Sequence, residues 1–413
     1  MKNPSIRFIT SLTIPLLLSA CSLLEINKQA ELIDGAGRIH GQVENKQSDQ
    51  GPIYAILFTM NEHEIVERQT QLLDEGGSFH MDMLPGEYHL GAFVDTNNDG
   101  EYQQGEPGTY IGIDENKVST ITVQKNAQLT APTLIIRGPI KPIKTEQRKI
   151  AEERSYDNIG RKTGLDNPIF SRDYAEMGLW RPTDFAAKGA VGLYTFSDYS
   201  ENKTPIVFVH GINGTPLDWK PTIEKLDTEN YQAWALYYPS GMPLDIVSDY
   251  LYNALNIMQE RHNYKQLYIF AHSMGGLVTR SLIKKNSAKP APLPVEFVLT
   301  LNSPLHGMPS AGKGVKYSPI VVPSWRDVAA GSDFIVDLHQ WSWPKDLNYT
   351  LVFSWQKGRG DDGVVALESQ LTTKLQQEAR QIHGLNASHA GALSTPEFLE
   401  LVDRKLIDLQ TKQ

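Results

Sequence analysis

The segment Ala271-His272-Ser273-Met274-Gly275-Gly276 directly follows the apolar run Leu267-Tyr268-Ile269-Phe270, and it constrains the fold more than any other part of the chain. An apolar run of strand length that breaks into small residues predicts a strand turning sharply into a helix, here with a serine at the apex. Strand and helix backbones approach closely in such a turn, so the flanking residues must be small, as Ala271 and Gly275 are. A serine hydroxyl is a weak nucleophile unless it stands exposed, with a base beside it and amide donors facing the developing oxyanion. A serine that only caps a helix needs none of these partners, so the rest of the chain decides between the two readings.

Candidate partners follow in order. Upstream, Pro205-Ile206-Val207-Phe208-Val209 reads as a buried strand running into the loop His210-Gly211-Ile212-Asn213-Gly214. Downstream, Leu351-Val352-Phe353-Ser354-Trp355 reads as a late strand followed by Gly360-Asp361-Asp362-Gly363-Val364-Val365. Last comes Asn386-Ala387-Ser388-His389-Ala390-Gly391-Ala392-Leu393. This order of oxyanion loop, serine, acid and histidine resembles the α/β-hydrolase superfamily, in particular its lipases, esterases and GPI inositol-deacylase-like members. Ala271 stands where the family usually has glycine.

The resemblance covers about the last half of the chain and implies a catalytic triad of Ser273, Asp362 and His389, with the backbone N–H groups of Ile212 and Met274 as oxyanion donors. Asp361 competes with Asp362 through a slip of one residue, and the match directly before Gly-Val-Val selects Asp362. His210, His306 and His383 are rivals for the base; His383 reads as part of a helix end, and His210 belongs to the oxyanion loop.

Apolar residues at helical spacing (Leu244, Val247, Leu251, Leu255, Met258) predict a crossover helix over 244–262, and residues 295–301 read as the next strand. Residues 216–225 read as the helix after the oxyanion loop, and residues 180–196 as the lead into the domain, including its first strands. Alternating strands and helices imply a mostly parallel sheet flanked by helices, an α/β-hydrolase fold. Residues 35–137 instead carry short strands with Gly/Pro turns, which predicts a small antiparallel β-sandwich. The Leu84-Pro85-Gly86-Glu87-Tyr88 core within 79–93 resembles transthyretin-like or carboxypeptidase-regulatory-like modules. That module reads as a spacer or docking element, and its protein partner is unspecified. Prolines mark residues 138–150 as a linker, 145–154 reads as charged and helix-compatible, and the hydrolase is expected over 151–413.

The N-terminus reads as a targeting segment outside the fold. Lys2 and Arg7 precede an apolar stretch, residues 8–18, too short to span a bilayer as a helix. Leu18-Ser19-Ala20-Cys21 resembles a bacterial lipobox, which implies a signal peptide over 1–20, acylation of Cys21 and a lipidated tether over 21–34. Cys21 is the single cysteine, so no disulfide is expected. Ser22 after it implies sorting to the outer membrane of a bacterial envelope. The net charge of −9, with no basic block, argues against nucleic acid as a partner.

Two further features carry alternatives. Residues 309–346 hold Trp325, Trp341 and Trp343, which read either as a lid that meets a lipid interface or as packing. Asp95, Asn97, Asp99, Glu101 and Glu106 fit a calcium-loop spacing on a β module, against a plain polar hairpin. The expectation for function is a membrane-anchored serine hydrolase of carboxylic esters, acting on a lipid or ester substrate and needing no cofactor for its chemistry. The same triad also serves acyltransferases, phospholipases and thioesterases. A non-catalytic envelope lipoprotein binding through its β module is the alternative of another class.

Overall fold

The computed structural model describes residues 24–48, 51–60, 64–74, 76–111, 118–140, 149–150 and 158–411. The expected signal segment and Cys21 lie outside these residues, as does most of the charged 145–154 stretch.

The C-terminal part is built on an eight-stranded sheet. Its spatial order is Ile159–Lys162, Gly192–Thr195, Tyr231–Tyr237, Thr204–Val209, Leu267–His272, Val295–Leu301, Asn348–Trp355 and Gln381–Asn386. From Tyr231–Tyr237 to the Gln381–Asn386 edge every pairing is parallel. Gly192–Thr195 runs antiparallel to Tyr231–Tyr237. Parallel strands are covered by helices on both faces and therefore read as continuous apolar runs; every residue of Leu267–His272 is buried. Helix Leu244–His262 buries Val247, Leu251, Leu255 and Met258, as their spacing predicts, and stops where Asn263 enters the left-handed region at φ 48°.

Three local expectations need correction. The 180–196 lead contains the end of helix Arg172–Trp180 and the helix Pro182–Ala187 before its single strand Gly192–Thr195. Residues 216–225 form a 3-10 turn, Pro216–Trp219, and one short helical turn, Lys220–Ile223. His383 lies in the edge strand Gln381–Asn386 rather than at a helix end; pairing with Asn348–Trp355 overrides the local preference.

The N-terminal module holds two sheets. In one, Gly37–Asn45 pairs antiparallel with Ser78–Met83 but parallel with Gln128–Thr130 and Leu134–Ile136, so the sandwich is mixed rather than purely antiparallel. In the other, Ile53–Met60 lies antiparallel between Glu64–Leu72 and Gly86–Val94. Ile53–Met60 explains why the module is more than a spacer. Ala55 and Leu57 face the core between the two sheets, while Tyr54, Ile56 and Phe58 on its other face join the hydrophobic core of the C-terminal part. Full burial of an apolar side chain such as Ile56 or Phe58 contributes about 1.5–3 kcal/mol. Asn253, on helix Leu244–His262, accepts from Leu72 N–H at 3.1 Å and donates to Thr70 carbonyl at 2.9 Å, pairing with strand backbone as a further strand would.

Residues 24–34, expected as a tether, form a helix with Ala30 and Ile33 buried, and it bonds to the C-terminal part. Buried Gln29 accepts from the Thr183 N–H at 3.1 Å, and Asp34 pairs with Arg326. Among the described residues no helix is long and apolar enough to cross a membrane.

Candidate active site

The turn at the end of strand Leu267–His272 places Ser273 at φ 53°, ψ −127°, in the positive-φ region that non-glycine residues rarely adopt. The close approach foreseen at this turn is real. A Cβ on Gly275 would lie 2.6 Å from the carbonyl oxygens of Val209 and His210, and one on Gly211 would lie 2.8 Å from Ser273 Cβ. Ser273 makes no side-chain cap bond to helix Met274–Ser287, so the capping explanation does not apply. Its Oγ instead stands 2.8 Å from His389 Nε2. His389 Nδ1 stands 2.7 Å from Asp362 Oδ2.

Asp362 is fully buried. Its Oδ1 accepts from the Val364 and Val365 N–H groups at 2.9 and 2.7 Å, which fixes the carboxylate plane toward His389. Asp361 turns outward, pairs with Arg359 at 2.7 Å and accepts from Gly363 N–H. The neighbouring aspartates are therefore separated by direction: one faces the histidine and the other faces solvent. The rival histidines lie elsewhere. His306 is exposed and stacks edge-on with His339 at 4.6 Å. His383 sits on the edge strand.

His210 is buried beneath the loop that bears Ile212. Its Nδ1 meets the Gly211 carbonyl at 2.8 Å, so that nitrogen carries the hydrogen. Tyr238 stacks on the ring at 4.2 Å and donates its hydroxyl to the His210 carbonyl at 2.8 Å. Burial pushes the His210 pKa down to about 4, which leaves a neutral ring bracing the loop. Met274 is the first residue of its helix, so its N–H belongs to the unsatisfied donors of the N-terminus. Ile212 is 38% exposed beside the site.

Sequence reasoning did not assign Arg280. This fully buried residue of helix Met274–Ser287 pairs with Glu378 at 2.9 Å, donates to the Leu338 and Trp341 carbonyls, and lies 5.5 and 5.1 Å from the ring centres of Trp341 and Trp343. Trp341 and Trp343 are thereby drawn inward, and Trp343 also stacks on Tyr349 at 4.5 Å, whereas partly exposed Trp325 meets exposed Trp180 edge-on at 5.8 Å. For Trp341 and Trp343 these contacts support the packing reading over a lipid-facing one. A buried cation beneath adjacent indoles has no periodic signature, which is why the sequence did not reveal it.

The five residues expected to hold calcium lie in one hairpin loop, where their side chains bond to its backbone and to one another. Asp95 accepts from the Asp99 and Gly100 N–H groups at 3.2 and 2.6 Å, and Glu106 accepts from Thr96 and Gln103 N–H at 2.7 and 2.8 Å. Asn97 donates to Asp99 at 2.9 Å, and Glu101 is exposed. The carboxylates close the hairpin on its own amides. Among the described residues no group of three or more His, Cys, Asp or Glu side chains is placed to hold a metal ion.

Residues 241–387 match the family model of the PGAP1-like alpha/beta domain. No curated protein matches the chain. Among solved structures, the chain is similar to lipase BlEst2 of Bacillus licheniformis in mature form, at TM-score 0.40 and 18% identity over 50% of this chain and 93% of that one. It is similar to the lin2722 gene product of Listeria innocua at TM-score 0.38 and 16% identity, over 48% and 92% of the two chains. It is also similar to the monoacylglycerol lipase of Paleococcus ferrophilus at TM-score 0.37 and 15% identity, over 52% and 97%. The strand order, the parallel pairings, the sharp serine turn and the matched family model together make the C-terminal part of this chain an α/β-hydrolase fold.

Proposed function

We propose that the chain is a serine hydrolase of carboxylic esters, of lipase or esterase type. One observation carries the reading: Ser273 Oγ, His389 and buried Asp362 form a continuous chain of bonds of 2.8 and 2.7 Å at the tip of a strained turn. In this reading the Nδ1–H of His389 donates to Asp362, which leaves Nε2 free to accept the serine proton as Oγ attacks the ester carbonyl. The N–H groups of Ile212 and Met274 hold the oxyanion. The imidazolium returns the proton to the departing alkoxide, and water then releases the acid from the acyl-serine by the same steps in reverse roles. This chemistry requires no cofactor. A lipid anchor at Cys21, supported by the sequence pattern alone, would hold the enzyme at a membrane beside lipid or ester substrates.

The test is a series of p-nitrophenyl esters from acetate to palmitate, with a phospholipid beside them. It uses the form lacking residues 1–21, together with Ser273→Ala and fluorophosphonate labelling. The expected outcome is turnover that falls about a million-fold in Ser273→Ala with the fold intact. A folded Ser273→Ala protein that retains wild-type turnover would overturn the reading. Absence of both turnover and labelling would favour a binding lipoprotein.

A further inference from the structure

His389 lies in an irregular connection between strand Gln381–Asn386 and the turn Gly391–Ser394, so no strand ladder fixes its backbone. Its peptide groups are nevertheless held on both sides. Its N–H donates to the Asp362 carbonyl at 2.9 Å. Its carbonyl lies 3.1 Å from His272 Nε2 and 2.9 Å from Asn302 Nδ2, so both lone pairs of one oxygen are engaged by buried side-chain donors. The donors come from the ends of two neighbouring strands. His272 ends Leu267–His272 and immediately precedes Ser273, whereas Asn302 follows Val295–Leu301. Asn302 adopts φ 53° and donates its own N–H to the Val352 carbonyl at 2.9 Å, which aims its amide at the histidine loop.

We infer that His272 and Asn302 are positioning residues that clamp the His389 carbonyl and thereby register the base against the nucleophile. The inference rests on the proposed serine-hydrolase reading. Because His272 shares its strand end with Ser273, a displacement of the nucleophile turn carries the base with it. Donation to a carbonyl requires the hydrogen on His272 Nε2, and its Nδ1 is buried without a partner, so the ring is held neutral. Burial, reinforced by the neighbouring His389, pushes the His272 pKa down to about 3, so the ring stays neutral at 4.8 Å from a histidine that becomes cationic during turnover. Loss of about 1 Å of register at a reacting group costs on the order of 100-fold.

The test uses His272→Phe, which keeps a planar ring without the donor, and His272→Gln, which restores a terminal N–H. Asn302→Gly, which tolerates the positive φ, serves as the independent variant. Each is assayed alone, with active sites counted by fluorophosphonate, and in a His389→Ala background, where rates are referred to the concentration of folded protein. His272→Phe should lower kcat about 10- to 100-fold with KM unchanged, and His272→Gln should recover most of the loss. In the His389→Ala background His272→Phe should cost less than about twofold more, because no base remains to position. A wild-type kcat in His272→Phe, or an equal loss in both backgrounds, overturns the inference. If His272→Phe does not fold, Asn302→Gly decides by the same two comparisons. Wild-type protein that fluorophosphonate does not label refutes the underlying hydrolase reading instead, so the two failures remain distinct.

Discussion

Replacing Asp362 by asparagine should act through the tautomer of His389 rather than through the fold. Oδ1 of Asp362 receives two main-chain donors, Val364 and Val365 N–H, at 2.9 and 2.7 Å. The asparagine carbonyl must occupy that place, since an NH2 group there would face two donors. The amide NH2 then falls where Oδ2 now meets His389 Nδ1 at 2.7 Å. A donor at that point forces the imidazole to carry its hydrogen on Nε2, which then points a donor at Ser273 instead of accepting its proton. The analogous change in a serine protease lowers kcat about 10⁴-fold, equivalent to about 5 kcal/mol of barrier. Asp361→Asn, one residue away, disturbs only an exposed pair with Arg359 and should change kcat less than about twofold. Steady-state hydrolysis of a short p-nitrophenyl ester by both variants measures the contrast. A loss in Asp361→Asn equal to that in Asp362→Asn, or a loss below tenfold in Asp362→Asn, would refute this account of the acid.

Three further outcomes follow from the packing. Asn253→Ala removes both bonds to the Thr70–Leu72 backbone and should lower stability by about 1–3 kcal/mol; urea unfolding should show one shifted transition, and a hydrolase transition that stays in place would contradict the shared core. The Asp327 carboxylate accepts from Leu244 N–H at 2.7 Å, and burial lifts its pKa to about 6 from 3.8. A carboxyl with a raised folded-state pKa contributes most when protonated, and that contribution falls as pH rises from about 4 to about 6. Melting temperatures of Asp327→Asn should therefore gain on wild type across that window, and a constant difference would count against the assignment. Calcium should leave the melting temperature unchanged, while Asp95→Ala should lower it equally with and without calcium, because two amides lose their acceptor. Stabilisation by calcium that Asp95→Ala abolishes would restore the metal reading.

Local patterns made much of the hydrolase part legible. The apolar run before Ser273, the glycine after it and the spacing of Leu244 to Met258 each encode a strand, a close turn or a helix face within a few residues. Helix Leu244–His262 needs only its own periodicity to be read, because burial follows the 3.6-residue repeat. The six-residue apolar run Ile53–Phe58 likewise signalled a strand, but not that its second face would complete another domain's core. That burial depends on which surface docks there, and no property of the strand itself specifies it.

The remaining features were decided by tertiary structure because they are meetings of residues far apart in the chain. Asp361 and Asp362 are chemically identical in sequence, and the amides of Val364 and Val365 separate them by turning one inward. Arg280 becomes a buried cation only when Glu378 and the carbonyls of Leu338 and Trp341 surround it. The carbonyl of His389 acquires two donors only because parallel strands align the ends that carry His272 and Asn302. The chain order of serine, acid and histidine was readable as a motif. The distances of 2.8 and 2.7 Å among Ser273, His389 and Asp362 exist only once the sheet brings three separate strand ends to one edge.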